Sequence, residues 1–179
     1  MDHHDHVNLL RRAVTTNNGA WADFGSGEGA FTLALRELGG AECEIYSLEK
    51  DRSRLAQQER NMRARFPDSR LHLFNVDFTR ALDLPPLDGI LMANALHFFR
   101  AKDKLLGQLY AYLKPGGRFV LVEYNVDAGN MWVPYPLSFD SFRELAPRAG
   151  FTRPELLATH PSRFLREIYS ALALKAASI

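Results

Sequence analysis

Short apolar runs alternate with segments of helical periodicity through most of the chain. Apolar runs bounded by glycine, proline or polar residues predict buried strands, whereas apolar positions three and four residues apart predict helices. This alternation is typical of a parallel sheet that helices cover on both faces. The predicted strands span residues 20–24, 43–48, 71–76, 87–93 and 118–124, and the predicted helices span 7–14, 30–38, 52–66 and 102–113.

The pattern changes after residue 125. An aromatic loop stiffened by prolines, Met131–Pro136, precedes a helix predicted from about 138 to 149, which Pro147 should kink. Two closing strands follow at 155–159 and 164–174, and their connection is short enough for an antiparallel turn. With no repeat or linker, one domain is expected over 1–179, made of an N-terminal helical segment (1–19), a core (20–125) and a closing region (126–179).

The composition, 46% hydrophobic and 24% charged, is that of an ordinary globular protein. Cys43 is the only cysteine, which excludes an intrachain disulfide, a cysteine zinc site and an iron–sulfur cluster. This cysteine usage suits a reducing compartment. Because no apolar run approaches the ~18 residues of a membrane span and the first residues lack a signal-peptide pattern, we expect a cytoplasmic protein without a membrane partner.

The formal net charge is +1, so the overall charge does not favour nucleic acid as a partner. Six arginines between residues 52 and 70 indicate either a solvated helix face or a phosphate-binding patch. The histidines at positions 3, 4 and 6 lie in a polar terminus with no fourth ligand and nothing to fix their geometry. We therefore expect no metal site.

A glycine-rich segment, Gly25–Gly29, lies where the first predicted strand turns into a helix. Glycine there lets the backbone approach a ligand without an intervening Cβ. The same residues also satisfy the dinucleotide-binding fingerprint, and a turn can be glycine-rich for steric reasons alone. Glu49 lies twenty positions beyond Gly29, just past the second strand, where an acid can accept hydrogen bonds from ribose hydroxyls. Together these features favour a nucleoside-containing cofactor.

Four segments carry a resemblance to a known family. An acid, Asp23, precedes the first glycine by two residues, and the acids Glu49 and Asp77 follow the second and third strands. The fourth segment is the turn Leu113–Arg118 before the fifth strand. In this combination and order the chain resembles the class I (Rossmann-like) S-adenosylmethionine-dependent methyltransferases, from about residue 20 to residue 175.

The resemblance implies a three-layer αβα sandwich around a seven-stranded, mostly parallel sheet of order 3-2-1-4-5-7-6, with the last strand antiparallel. It also implies S-adenosylmethionine as the cofactor, bound across the carboxyl ends of the strands. Lys50 is charged where an apolar residue often packs on adenine, so Phe78 is an alternative for that stacking. The implied cofactor-binding residues are Asp23, Gly25, Ser26, Gly27, Gly29, Glu49, Lys50, Asp77, Phe78 and Asn94.

Candidate catalytic residues lie where the fourth and fifth strands end. Methyl transfer from a sulfonium is an in-line displacement, and a general base is needed only if the acceptor must lose a proton. His97 and Tyr124 are the candidates, since histidine titrates near neutral pH, although a packed structural role for His97 remains open. Glu123 and Tyr124 alternate along the strand, so at most one is expected to face the pocket.

The acceptor is expected to be a small molecule. Asn125, Trp132 and Tyr135 are the candidate substrate contacts, and the loop that carries them is predicted to form a substrate lid with the first helix. Three alternatives remain: a non-catalytic cofactor-binding or partner-binding protein of this fold, an RNA methyltransferase, and an NAD-dependent oxidoreductase. The turn at Leu113–Arg118 argues against the oxidoreductase, and the sequence does not determine the oligomeric state.

Overall fold

The fold is a seven-stranded sheet flanked by helices. The structure is a computed structural model that describes residues 1–14 and 19–177. The strands run in the order β3-β2-β1-β4-β5-β7-β6, and β7 alone is antiparallel to its neighbours β5 and β6. This confirms the predicted topology. The strands are β1 (Ala20–Phe24), β2 (Glu44–Glu49), β3 (Arg70–Asn75), β4 (Leu87–Ala93), β5 (Leu113–Tyr124), β6 (Glu155–Pro161) and β7 (Glu167–Leu174).

Two apolar clusters, one on each face of the sheet, make the three layers. On one face α4 and α5 pack over the inward side chains of the central strands, among them Phe24 and Leu121, and α5 contributes the buried Phe142. On the other face α1 and α2 cover Trp21 and Val120. The helices are α1 (His3–Leu10), α2 (Ala30–Gly39), α3 (Arg52–Arg65), α4 (Lys102–Tyr112) and α5 (Phe139–Leu145), with 3₁₀ turns at Leu96–Phe98 and Ala146–Ala149.

The first helix begins four residues earlier than predicted. Asp2 is its N-cap, and the Asp2 and Asp5 side chains accept hydrogen bonds from each other's backbone N–H groups, a reciprocal capping box that fixes the start. The expectation of an unfixed histidine terminus was therefore wrong, since His3 Nε2 lies 2.7 Å from Glu37 and the His6 ring packs on Phe31. The predicted stop at residues 17 and 18 lies outside the described residues.

Other boundaries moved for local reasons. Strand β5 begins at Leu113, because the segment predicted as a turn forms an irregularity inside the strand, with Gly116 at φ 75°. The predicted kink at Pro147 appears as the change from α5 to a 3₁₀ turn. The hairpin connection lies later than expected, where Ser162 N–H donates to Arg166 O at 2.7 Å.

The arginine-rich segment forms the outer face of α3 and the start of β3. Arg63, Arg65 and Arg70 pair with the carboxylates of Glu59, Glu37 and Glu42. These pairs favour a solvated helix face over a phosphate-binding patch. Within the described ranges, no helix is both long enough and apolar enough to cross a bilayer.

Candidate functional site

The glycine loop after β1 is shaped by its contact with the end of β4. Gly25 and Ser26 N–H groups both donate to Leu48 O, at 2.9 and 3.2 Å, which joins the loop to β2. Gly25 has a φ of 78°, and a Cβ there would lie 2.7 Å from Ala95 Cβ. Gly27 also has a positive φ, but its missing Cβ would meet only open space. The loop therefore presents bare backbone on its open side.

A buried polar cluster under the loop holds it in place. Gln58 of α3 is fully buried, and its Nε2 donates to Thr32 Oγ1 at 2.8 Å and to Ser47 Oγ at 2.7 Å. Ser26 Oγ lies 2.6 Å from Ser47 Oγ and 3.0 Å from Gln58 Oε1. The space that a Cβ at Gly29 would need is filled by Gln58. Ser26 and Gly29 thus support the loop from below, and Gln58 is a residue that sequence reasoning missed.

Asp23 is buried beneath the same loop. Its Oδ2 accepts a 2.6 Å hydrogen bond from Thr32 Oγ1, whereas Oδ1 has no partner among the described residues. Burial raises the pKa of Asp23 to about 7, against the lowering effect of the Thr32 hydrogen bond. The Asp23 carboxyl group thus contacts Thr32 of α2, the helix that follows the loop. It does not line the cavity described next.

A cavity of about 440 Å³ opens at the carboxyl ends of β1 to β4. Six of the predicted cofactor residues line it: Gly25, Glu49, Lys50, Asp77, Phe78 and Asn94. The other four, Asp23, Ser26, Gly27 and Gly29, are not among its lining residues. Sequence reasoning missed six lining residues, namely Asp51, Arg54, Thr79, Ala95, Phe98 and Phe99. The adjacent aromatic residues Phe98 and Phe99, shortly after β4, are the sequence signal that could have revealed two of them.

Glu49 joins the glycine loop to the start of α3. Its Oε2 accepts from Gly27 N–H at 3.0 Å and its Oε1 accepts from Asp51 N–H at 2.8 Å, while only 6% of the residue is exposed. Each carboxylate oxygen has a second lone pair, so both can accept a further donor from a molecule in the cavity. Glu49 therefore lies on the cavity wall at the end of β2, and its contact with a cofactor stays a prediction.

The far wall of the cavity comes from the segment after β3. Phe78 is buried between Phe24 and Phe99, with ring centroids 5.6 and 5.5 Å away, whereas Lys50 is exposed. Asp77 Oδ1 accepts from the hydroxyl and the N–H of Thr79, and these hydrogen bonds lower the pKa of Asp77. The geometry favours Phe78 over Lys50 as the surface for a flat ring.

Asn94, directly after β4, has a left-handed backbone conformation that few residues other than glycine adopt. Its φ is 51°, and its N–H donates to Val122 O at 2.9 Å. Its side-chain Oδ1 is buried with no hydrogen-bond partner in the described part of the chain. Strained backbone and an unpaired acceptor on a cavity wall together mark a position that a ligand would complete.

The catalytic candidates meet at the ends of β4 and β5. His97 Nδ1 lies 2.9 Å from Glu123 Oε1, and both side chains are almost fully buried. The Tyr124 ring lies 6.0 Å from that of His97, and burial, assisted by the Glu123 charge, raises the pKa of Tyr124. Because side chains alternate along β5, Glu123 and Tyr124 point to opposite faces of the sheet. The His97 ring lies near both, since it is placed across the carboxyl end of β5.

The three substrate candidates lie in different surroundings. Both ends of the Asn125 side-chain amide are engaged, with Glu167 and with Phe139 N–H. Tyr135 N–H donates to His97 O at 3.0 Å, which holds the loop beside the end of β4, while Trp132 is 69% exposed. The first helix lies elsewhere, packed on α2 and β6, so the expected lid that includes α1 is not formed.

Comparison with known proteins supports the geometric picture. A family model described as a methyltransferase domain matches residues 22–119. A carboxy-S-adenosyl-L-methionine synthase of Shewanella denitrificans is 30% identical over 118 residues, which cover 64% of this chain and 48% of that protein. A synthase of the same name from a second Shewanella species is 26% identical over 168 residues, or 85% and 69% of the two chains. The first match thus spans about half the length of the relative.

Two solved structures have the same fold at low sequence identity. An S-adenosylmethionine-dependent methyltransferase of Aquifex aeolicus superposes with a TM-score of 0.75 at 15% identity, covering 96% of this chain and 90% of its own. A putative O-methyltransferase of Nostoc punctiforme gives 0.77 at 18% identity, covering 96% and 56%. With the family model spanning more than half of the residues, the chain belongs to the methyltransferase domain family and has its Rossmann-like class I fold.

Proposed function

We propose that the protein binds S-adenosylmethionine in the cavity at the carboxyl ends of β1 to β4 and transfers its methyl group to a small molecule. The observation that carries this proposal is the convergence of Gly25, Glu49, Phe78 and Asn94 on one cavity of about 440 Å³. These residues come from four separate segments, and a ligand site at this edge is the rule for open α/β sheets.

The chemistry of the cavity fits the cofactor part by part. The unpaired Asn94 Oδ1 can accept from an ammonium group, and the Glu49 carboxylate can accept from ribose hydroxyls. The open side of Gly27 leaves room for a ligand over the loop backbone. Phe78, which lines the cavity, is the apolar surface proposed for an adenine ring. When bound, S-adenosylmethionine supplies an electrophilic methyl group on a positively charged sulfur.

The protein's own contribution is alignment and exclusion of water. Phe78, Phe98 and Phe99 line the cavity with apolar surface, which lowers the local dielectric around the cofactor's charge. His97 and Tyr124 lie beside that surface as the proposed catalytic residues. We also propose a cytoplasmic location, which the single cysteine supports.

A second candidate function is modification of the cofactor itself. The relatives named carboxy-S-adenosyl-L-methionine synthase favour it, since their name describes synthesis of a carboxylated derivative of S-adenosylmethionine. In that case the nucleoside leaving the cavity would carry an added carboxyl group. Methyl transfer would leave S-adenosylhomocysteine instead.

Calorimetric titration with S-adenosylhomocysteine tests binding, and mass spectrometry of the nucleosides after incubation with S-adenosylmethionine and candidate small molecules tests chemistry. We expect binding and a rise in Tm at about 1 mM ligand, because a ligand selective for the folded state stabilises it. No binding by the folded protein contradicts the proposal. Binding of NAD instead favours an oxidoreductase, and binding without any turnover favours a non-catalytic role.

A further inference from the structure

Exposed apolar side chains gather in three connections of the fold. The connections are residues 94–101 between β4 and α4, residues 125–138 between β5 and α5, and residues 162–166 between β6 and β7. They carry the exposed side chains of Phe98, Met131, Trp132, Tyr135 and Phe164. Within residues 1–14 and 19–177, the other large hydrophobic side chains that stay exposed are Met1, at the start of the chain, and Leu156, near the start of β6. A concentration of this kind marks a surface that has a partner.

The sheet topology brings the three connections to one edge. Strands β4 and β5 are parallel, so the connections that follow them leave from the same side of the sheet. Strand β6 runs parallel to β5, because both are antiparallel to β7, and its connection leaves from that side too. Contacts join the three: His97 O accepts from Tyr135 N–H at 3.0 Å, and the Tyr124 ring lies 6.0 Å from His97 and 5.9 Å from Phe164. We call this surface, made of the three connections, the apolar edge.

The most exposed side chains of the apolar edge project from an ordered loop. Asn130 Oδ1 accepts hydrogen bonds from the N–H groups of Trp132 and Val133, both at 2.9 Å, and Val133 is buried. Met131 and Trp132 are nevertheless 85% and 69% exposed. Because the backbone is already fixed, burying these two side chains against a partner costs little conformational entropy.

The apolar edge is also positively charged. Its formally charged residues are Arg100, Arg163, Arg166 and Asp127. The three arginines are exposed, and the ion pairs that the structure shows within residues 1–14 and 19–177 involve other arginines. The carboxylate of Asp127 accepts hydrogen bonds from the N–H and the hydroxyl of Ser138. The guanidinium groups are therefore free to bind phosphate oxygens beside the apolar side chains.

An anionic lipid bilayer combines the two properties that this surface complements. Tryptophan and tyrosine are favoured at the boundary between headgroups and acyl chains, where one end of the ring is apolar and the other is wet. Arginine can lay its aliphatic stem on apolar groups while its head reaches a lipid phosphate, and the negative potential of such a membrane attracts it. Peripheral binding of this kind needs no membrane-spanning segment.

We propose that the apolar edge docks on an anionic lipid bilayer, with Trp132 and Phe164 among the headgroups and Arg100, Arg163 and Arg166 at lipid phosphates. This proposal departs from the expectation of a protein without a membrane partner, which rested on the lack of an apolar run long enough to span a bilayer. It does not depend on the proposed function, because docking requires neither a cofactor nor an acceptor.

Vesicle binding tests the proposal directly. The protein is mixed with vesicles of phosphatidylcholine alone, or of phosphatidylcholine with about 30% phosphatidylglycerol, and the bound fraction is measured by flotation. We expect binding to the anionic vesicles to be at least about tenfold stronger, and to weaken as salt is added, since salt screens the attraction between arginines and lipid.

Tryptophan fluorescence reports which part of the protein meets the lipid. The chain has two tryptophans, and Trp21 is fully buried whereas Trp132 is 69% exposed. A shift of the emission to shorter wavelength on adding anionic vesicles therefore reports the transfer of Trp132 into a less polar environment. Trp132→Ala should abolish this shift.

Variants of exposed residues separate the apolar edge from the rest of the surface. Trp132→Ala and Phe164→Ala should each weaken vesicle binding about tenfold, since each removes apolar surface that the lipid buries. Arg163→Gln should weaken it about fivefold through the lost charge. Leu156→Ala and Arg153→Gln are the matched controls, because both residues are exposed and lie at the other end of β6, and each should change binding by less than about twofold.

Three results would overturn the proposal. The first is no binding to the anionic vesicles, or equal binding to anionic and neutral ones. The second is a loss in Leu156→Ala as large as that in Trp132→Ala. The third is a dimer, detected by light scattering without vesicles, that Trp132→Ala disrupts while the wild type ignores lipid, since a second copy would then cover the edge. Failure of S-adenosylhomocysteine to bind contradicts the proposed function alone and leaves the vesicle result as it stands.

Discussion

The side chain of Gln58 fills the space next to Gly29, so that a Cβ added at position 29 would collide with Gln58 Cγ. Gly29 also has a φ of 86°, in the left-handed region that favours glycine. The contact joins α3 to the start of α2 across the polar cluster under the glycine loop. The last glycine of the motif is therefore required by packing between two helices.

We predict that Gly29→Ala lowers the free energy of unfolding by about 2–4 kcal/mol, from backbone strain together with overpacking. Urea denaturation followed by circular dichroism measures the change. Gly107→Ala is the matched control: this glycine lies inside α4 with open space around its missing Cβ, and the substitution should add about 0.5–1 kcal/mol. An unchanged stability in Gly29→Ala would show that Gln58 moves aside freely.

Glu49→Ala should weaken S-adenosylhomocysteine binding roughly 30- to 150-fold, since charge-assisted hydrogen bonds to ribose contribute about 2–3 kcal/mol together. Calorimetric titration gives the dissociation constant. Glu28→Ala changes an exposed acid in the same loop that does not line the cavity, and its effect should stay within about threefold. Equal effects of the two substitutions would contradict a direct role for Glu49.

Asp23 should make the protein less stable as the pH rises. Its pKa is about 7 in the folded state against 3.8 ordinarily, so the folded state binds more protons between these values. The free energy of unfolding therefore falls between about pH 4 and pH 7, by on the order of 4 kcal/mol, and then stays level. Asp23→Asn should remove this dependence, which urea denaturation at several pH values measures.

The matched variant for Asp23 is Thr32→Val. Thr32 donates the hydrogen bond that lowers the pKa of Asp23, so its loss should move the fall in stability to higher pH. The free energies of unfolding of the wild type and of Asp23→Asn are then compared at each pH. A difference that stays constant at every pH would show that Asp23 does not titrate in this range.

Lys102 joins the aromatic loop, residues 131–136, to the segment after β4 through hydrogen bonds. It is 8% exposed and donates to Phe99 O at 2.8 Å and to Tyr135 O at 2.6 Å. Lys102→Met should lower the free energy of unfolding by about 2–4 kcal/mol, since two charge-assisted hydrogen bonds are lost, and should increase proteolysis within residues 125–137. Lys104→Met, on an exposed neighbour, should change stability by less than about 0.5 kcal/mol.

The sequence by itself determined the order and type of nearly every element, because strand and helix periodicities and their stop signals are local. It also determined the positions of Gly25 and Glu49, whose spacing reflects a βαβ unit that lies within one continuous segment. The bounds of β4 were predicted to the residue, since the apolar run ends abruptly at Ala93 and its polar neighbours.

Tertiary structure decided what each site residue touches. Glu123 contacts His97 across 26 positions and Gln58 contacts Thr32 across the same number, and neither pair has a local pattern to reveal it. Phe164, in the connection between β6 and β7, lies 5.9 Å from Tyr124 at the end of β5 because β7 pairs antiparallel with β5. Packing selects such partners because a buried polar group is stable only when its hydrogen bonds are satisfied, and here segments far apart in the chain satisfy them, so no local sequence pattern reveals the pairs.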